Sequence, residues 1–349
     1  MPTITHEKFG TCPAGQVDLY TLTNDAGNTV KISTFGAVVQ SIQVPDRNGE
    51  LGEVVIGYDS FEPYLDNPVH FGAIVGRYAN RIAGAKFSIK DRSYELTANE
   101  GENTLHGGPK AFGHQLWEVL HAEAEEEDAI LQLHHVSPAG TNGFPGRLSV
   151  SCQYTWSNEN CLIIEYNAIT ERPTVINLTN HSYFNLAGAG TILDHELEVN
   201  ADRITDRNEQ ELPTGELRGI LNSDLDFTTL RPIKEAVKPG SELEKGIDHN
   251  YCINDADGNM TEAAYVRDPK SGRSITCYTT QPGVQVFTTN FEEGEFTHGK
   301  GEPLLRHGAI CLETQNYPDA PNQPNFPSPI LWPEEEYSET TEYWFGISE

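Results

Sequence analysis

The sequence predicts an all-β protein, built as one large antiparallel domain of sandwich or barrel type. Three observations carry that prediction. Short runs of alternating apolar and polar residues recur along the chain, and side chains alternate between faces in strands. Gly 31 and Pro 21 supply the tight turns that many short strands need. Helical periodicity sustained over roughly 11 residues or more is hard to find anywhere.

In chain order, strands are expected at 17–24 and 29–35 about the turn Asp25-Ala26-Gly27-Asn28, and at 38–44, ended by Pro45 and Asp46. The alternation continues at 86–89 and 93–97 around Asp91 and Arg92, then at 116–120, 129–135, 148–156 and 161–168. Further strands are expected at 196–200, 274–279, 284–289, 309–314 and 338–345. No Pro/Ser-rich linker or shift of composition divides the chain, so residues 1–349 read as a single domain.

Hydrophobic residues make up 37% and are evenly spread, enough for a substantial core. Apolar runs fall short of the ~20 residues of a membrane span. The start, Met1-Pro2-Thr3-Ile4-Thr5-His6-Glu7-Lys8, lacks the basic and apolar regions of a signal peptide, so a cytoplasmic protein is expected. Cys12, Cys152, Cys161, Cys252, Cys277 and Cys311 show no Cys-x-x-Cys spacing and read as reduced, buried thiols. The net charge of -29 repels nucleic acid and anionic membranes, which excludes both as partners, and it disfavours a phosphorylated substrate. Its acidic runs, at 123–128, 292–295 and 334–336, read as solvated loops and faces. No heptad or long apolar patch argues for assembly, so a monomer is expected.

The most informative stretch is 174–186, where a β-branched start fills with Asn, Thr, His, Ser and Tyr. Alternation puts His181 and Tyr183 on one face, Asn180 and Ser182 on the other. A solvated edge strand seldom needs so many directional donors and acceptors beside aromatics. A concave site for a small polyhydroxylated ligand does, with His181 as its proton carrier. Within Gly76-Arg77-Tyr78-Ala79-Asn80-Arg81-Ile82, two arginines four apart read either as loop ion pairs or as a guanidinium fork on hydroxyls or carboxylates. His106 is followed by Gly107 and Gly108, which permit close backbone approach. His114, His121, His134 and His135 follow, but no compact zinc spacing results, and no metal is expected. Asp248 lies in a polar turn entering a strand, as turn cap or ligand group. Gln281 opens a turn-and-strand segment as a candidate hydrogen bonder. Glu313 closes an apolar run, where a carboxylate is costly unless paired or functional. Burial there would raise it toward the range useful to a base.

Taken together and in this order, the segments resemble the aldose 1-epimerases, or galactose mutarotases. Matching stretches are 76–82, 103–108, 177–186, 213–216 with Asp226-Phe227-Thr228, 248–251, 281–286, 312–322 and 337–345. The segment 202–208 departs from the Pro-containing version of the family and is read as a loop. The resemblance implies a large antiparallel β-sandwich (a supersandwich) with an open sugar-binding cleft, working without a cofactor. It implies interconversion of the α and β anomers of free aldoses such as galactose and glucose. By motif, the family's base falls on Glu313, its acid on His181, and its second histidine, assisting at the ring oxygen, on His106. Its sugar-hydroxyl binders fall on Asn80, Arg81, Asp248 and Gln281.

The residue chemistry suits that reaction. Opening a cyclic hemiacetal needs a base for the C1 hydroxyl proton and an acid for the ring oxygen, and closure reverses both roles. A glutamate and a histidine provide this without redox or metal chemistry. Two other readings stay open at this level. A glycosidase would pair Glu313 with Asp248 about one sugar bond, and a noncatalytic module would bind the sugar alone.

Overall fold

The computed structural model describes residues 1–348, and three antiparallel sheets dominate it. The first is a meander of Thr3–Cys12, Gly15–Thr23, Thr29–Ser33, Val38–Pro45 and Leu51–Glu53 in sequential order. The second has nine strands. Glu118–Ala124, Asp128–Ser137, Leu148–Ser157 and Cys161–Thr170 form one half; Arg273–Thr279, Thr261–Arg267, Glu196–Val199 and Arg231–Pro232 form the other. The closing strand Tyr337–Ile347 lies between the halves, paired with Cys161–Thr170 on one side and Arg273–Thr279 on the other. The third sheet orders Pro213–Gly219, Arg203–Arg207, Asp248–Cys252, Gly283–Phe287 and Cys311–Gln315.

Alternation explains how these sheets bury one face each. In Leu148–Ser157 the residues Leu148, Val150, Cys152, Tyr154 and Trp156 are fully buried, and the intervening Ser149, Ser151 and Gln153 are partly exposed. Each buried Leu or Val of this kind contributes roughly 1.5–3 kcal/mol. One continuous apolar cluster collects such residues from all three sheets, among them Ile32 and Ile42 from the first, Leu131 and Ile164 from the second, and Val284, Val286 and Leu312 from the third. This is the expected sandwich. The longest α-helical run among the described residues is Ile233–Ala236.

The expected strands are all present, with ends shifted by a few residues. Of the further strands that the alternation did not reveal, three have clear physical reasons for their silence. Thr3–Cys12 is an edge strand exposed over most of its length, so neither face needs to be apolar. Arg203–Arg207 and Thr261–Arg267 carry bulges, and a bulge breaks the two-residue period. The segment 202–208, read as a loop, is thus largely a strand of the third sheet. All six cysteines are free and buried. No helix among the described residues is long and apolar enough to cross a membrane.

Candidate active site

The third sheet buries Val284, Val286 and Leu312 on one face, so the residues between them must face outward. Strand register then places Asn250, Gln285 and Glu313 side by side in one row across three strands. Asp248, at the start of its strand, accepts a hydrogen bond from Gln285 Nε2 at 2.6 Å. Facing this row is the stretch 174–186. It is held by short pairings of Thr179–Asn180 with Ile74–Val75 and of Tyr183–Phe184 with Val55–Ile56. His181 and Tyr183 do share a face, with rings stacked 4.9 Å apart at 8°. Asn180 turns the other way, its amide donating to Gly72 O and its Oδ1 accepting from Ser182. His181 Nε2 comes to 3.6 Å from Glu313 Oε1.

A third segment brings the remaining groups. Arg81–Ile82 pairs with Thr104–Leu105, which sets Asn80, Arg81 and His106 together. Asn80 N–H donates to His106 Nδ1 at 3.2 Å, and His106 N–H donates to Asn80 O at 3.1 Å. Asn80 Oδ1 accepts from the Arg81 backbone. Arg81 makes a two-pronged contact with Glu100, 2.7 Å on each arm, and reaches Glu211 at 3.0 Å. The result is a cleft of about 330 Å³ lined by Asn80, Arg81, His106, His181, Asp248 and Glu313, with Gln285, His70, Tyr183, Asn290 and Phe287.

Two expectations need correction. Gln281 is not in the cleft. It is buried on the far side of the turn, its Nε2 donating to Tyr337 Oη at 2.9 Å, its N–H to Thr279 Oγ1. Gln285, four residues on, occupies the place assigned to it. The signal was present in Val284-Gln285-Val286, where a polar residue between two core valines must face the opposite side of the sheet. The segment 202–208 reads as a loop from sequence, yet as a strand it brings Arg207 to the site. This arginine donates to Asp248 O at 2.7 Å and stands 3.9 Å from the Asp248 carboxylate. Of the two arginines in 76–82, Arg77 is structural, buried and donating to the carbonyls of Ser137, Pro138 and Pro145.

Burial sets the protonation chemistry. It pushes the Glu313 carboxyl well above the ordinary range; the charge of Asp248 adds to this and Arg81 opposes it. It pulls His181 down to about 3, with His70 adding, and takes His106 well below the usual histidine value. Asp248 is raised by burial against the pull of Arg207 and Arg81. A proton taken from the sugar is therefore at home on Glu313, and His181 gives its proton up readily.

The structure also creates what sequence spacing could not show: ligand-type atoms of His106, His181 and Glu313 all lie within 4.8 Å of one another. Two imidazoles and a carboxylate form a common transition-metal donor set. The hydrogen bond from Asn80 argues against that use. Since His106 Nδ1 accepts it, the neutral ring carries its proton on Nε2 and offers the cleft a donor, whereas a metal needs a lone pair.

Known proteins give the geometry a family. The aldose 1-epimerase family model matches residues 18–344. Galactose mutarotase from Bos taurus is 40% identical, over 100% of this chain and 99% of its own. Aldose 1-epimerase from Escherichia coli K12 is 33% identical over 95% of this chain and 96% of its own. The solved galactose 1-epimerase of Lactobacillus acidophilus superposes with a TM-score of 0.88 at 25% identity, covering 100% of both chains. The aldose epimerase homologue from C. elegans gives 0.86 at 29% identity, over 95% of this chain and 99% of that one. The chain belongs to the aldose 1-epimerase family.

Proposed function

We propose that the cleft interconverts the α and β anomers of free galactose and glucose, with Glu313 as general base, His181 as general acid and His106 as a fixed donor to the ring oxygen. The observation that carries this reading is the pairing of His181 Nε2 with Glu313 Oε1 at 3.6 Å in a buried site, their affinities for protons shifted in opposite directions. Between them they hold one exchangeable proton. Burial rests that proton on Glu313; in the reactive form it stands on His181, so that Glu313 takes the C1 hydroxyl proton while His181 protonates the ring oxygen, and the ring opens. Rotation about C1–C2 turns the other face of the aldehyde to the C5 hydroxyl. Closure then returns the C5 hydroxyl proton to His181 and moves the proton on Glu313 to the new C1 oxygen. Each positioned transfer contributes typically ~10²–10⁴-fold.

Glu313 Oε2 has no hydrogen-bond partner among the described residues, and a sugar hydroxyl would satisfy it. Asn80, Arg81, Asp248 and Gln285 are the hydroxyl binders in this reading, Gln285 replacing Gln281. The core shared by all three sheets supports taking the chain as one domain.

Glu313→Gln tests the assignment, because an amide keeps the volume and can still hold the C1 hydroxyl. Polarimetry on fresh α-D-galactose should show kcat down ~10²-fold or more with KM little changed. If the variant instead melted earlier while its folded fraction kept near-normal kcat, Glu313 would be structural and the base would lie elsewhere.

A further inference from the structure

The contacts order the cleft side chains around a closed rim. Glu313 stands opposite Gln285 in register, Gln285 bonds Asp248, and Arg81 bears on Asp248 by charge. Asn80, beside Arg81, bonds His106, whose ring lies 5.0 Å from His70. His70 stacks at 6.2 Å from His181, whose ring also lies 5.4 Å from His106, so the two outer histidines flank it, and His181 leads back to Glu313. Lay a pyranose in this rim with its C1 hydroxyl on Glu313 and its ring oxygen at His181. C2, C3 and C4 then turn toward Gln285, Asp248 and Arg81. C5, bonded to the ring oxygen on the side away from C1, falls to the arc between His106 and His70, and C6 projects from it.

We propose that His70 is a specificity-determining residue that hydrogen-bonds the 6-hydroxyl of a hexose. The inference rests on the epimerase reading of the same cleft. His70 is half-buried, lines the cleft, and its ring makes no hydrogen bond to a described residue. Burial holds it neutral, at about 4, so it offers one donor and one acceptor, which a primary hydroxyl can use together. Its presentation is rigid. The backbone sits at φ 58, His70 N–H donates to Asn67 O, and the Asn67 side chain bonds both the N–H and the C=O of Phe71. Two residues on, Gly72 N–H donates to His181 O, which ties this segment to the catalytic stretch. A non-glycine residue held in that conformation persists where the surroundings over-determine it, and such positions cluster at functional sites.

The test compares kcat/KM for D-galactose and for 6-deoxy-D-galactose, which lacks only the 6-hydroxyl. The wild type should favour galactose by about tenfold, the size of one hydrogen bond left unmade. His70→Phe keeps the stacking and removes both nitrogens. His70→Asn tolerates the left-handed backbone and stops short of the sugar. In either variant the ratio should fall toward one, the greater loss falling on galactose. A ratio unmoved in the folded variants, or equal losses on both sugars, would make His70 a packing residue and overturn the proposal, as would a wild type with no preference. A wild type that accelerates neither sugar would overturn the epimerase reading and this one with it.

Discussion

Gln281 and Gln285 are the same residue type four positions apart, and the fold gives them opposite duties. Gln285 faces the cleft beside Glu313 and holds Asp248, whereas Gln281 is buried against Tyr337. Gln285→Ala should therefore raise KM for galactose about tenfold through a lost charge-assisted hydrogen bond, with a small change in melting temperature. Gln281→Ala should leave the kinetics near wild type and cost about 1–3 kcal/mol by stripping a partner from a buried hydroxyl. Steady-state polarimetry with thermal melts separates them, and the reverse pattern would restore Gln281 to the site. Glu313 and His181 were legible because each breaks its local context: a carboxylate after an apolar run, and an imidazole among Asn, Ser and Tyr. His106, a lone loop histidine, was singled out only by the resemblance to the family. His70 was not. In Asn67-Pro68-Val69-His70-Phe71-Gly72 nothing distinguishes it from a loop histidine, and only the long-range tie to His181 brings it to the cleft.

At the scale of elements, the loop carrying His106 depends on one glycine. Gly107 sits at φ 86, and a Cβ there would come 2.1 Å from Gly76 O. Gly107→Ala must displace the backbone that aims His106, so activity should fall by at least tenfold, as misplacing a positioned group by about 1 Å does. Gly101, nearby at φ 56, would meet nothing within 4 Å on gaining a Cβ. Gly101→Ala should cost only the ~1–2 kcal/mol of left-handed backbone and keep its rate. Equal activity losses in the two would show that the loop does not aim His106. Strands read well from sequence wherever alternation was unbroken, as in Leu148–Ser157. Arg203–Arg207, where a bulge shifts the period, went unread, and that hid Arg207 with it.

Across the whole molecule, buried neutral histidines link stability to pH. His70, His135 and His195 are each held at about 4 and His181 at about 3, all chiefly by burial. The unfolded chain binds protons on these rings from about pH 6.5 downward and the folded chain does not. Their contribution is therefore complete above pH 6.5 and lost as pH falls toward 4. Glu53 and Glu313, raised by burial, act in the opposite sense, losing stability as pH rises from about 4.5. Denaturant titrations should show weaker folding at pH 5 than at 6.5. His135→Phe, which keeps the packing against Trp117 and Phe112, should flatten that slope by up to ~1.4 kcal/mol per pH unit. An unchanged slope would mean the ring titrates alike in both states. The position of Tyr337–Ile347 has a consequence for biosynthesis. This strand is made after both of its neighbours, so until it emerges the nascent chain holds two half-sheets with open edges, prone to pair with other chains. It also carries Tyr337 Oη, which accepts from Leu178 N–H, and Tyr343 Oη, which donates to Leu312 O beside Glu313. A ribosome-bound chain short of this strand thus lacks supports on both walls of the cleft, and catalysis has to wait until Tyr337–Ile347 has been made.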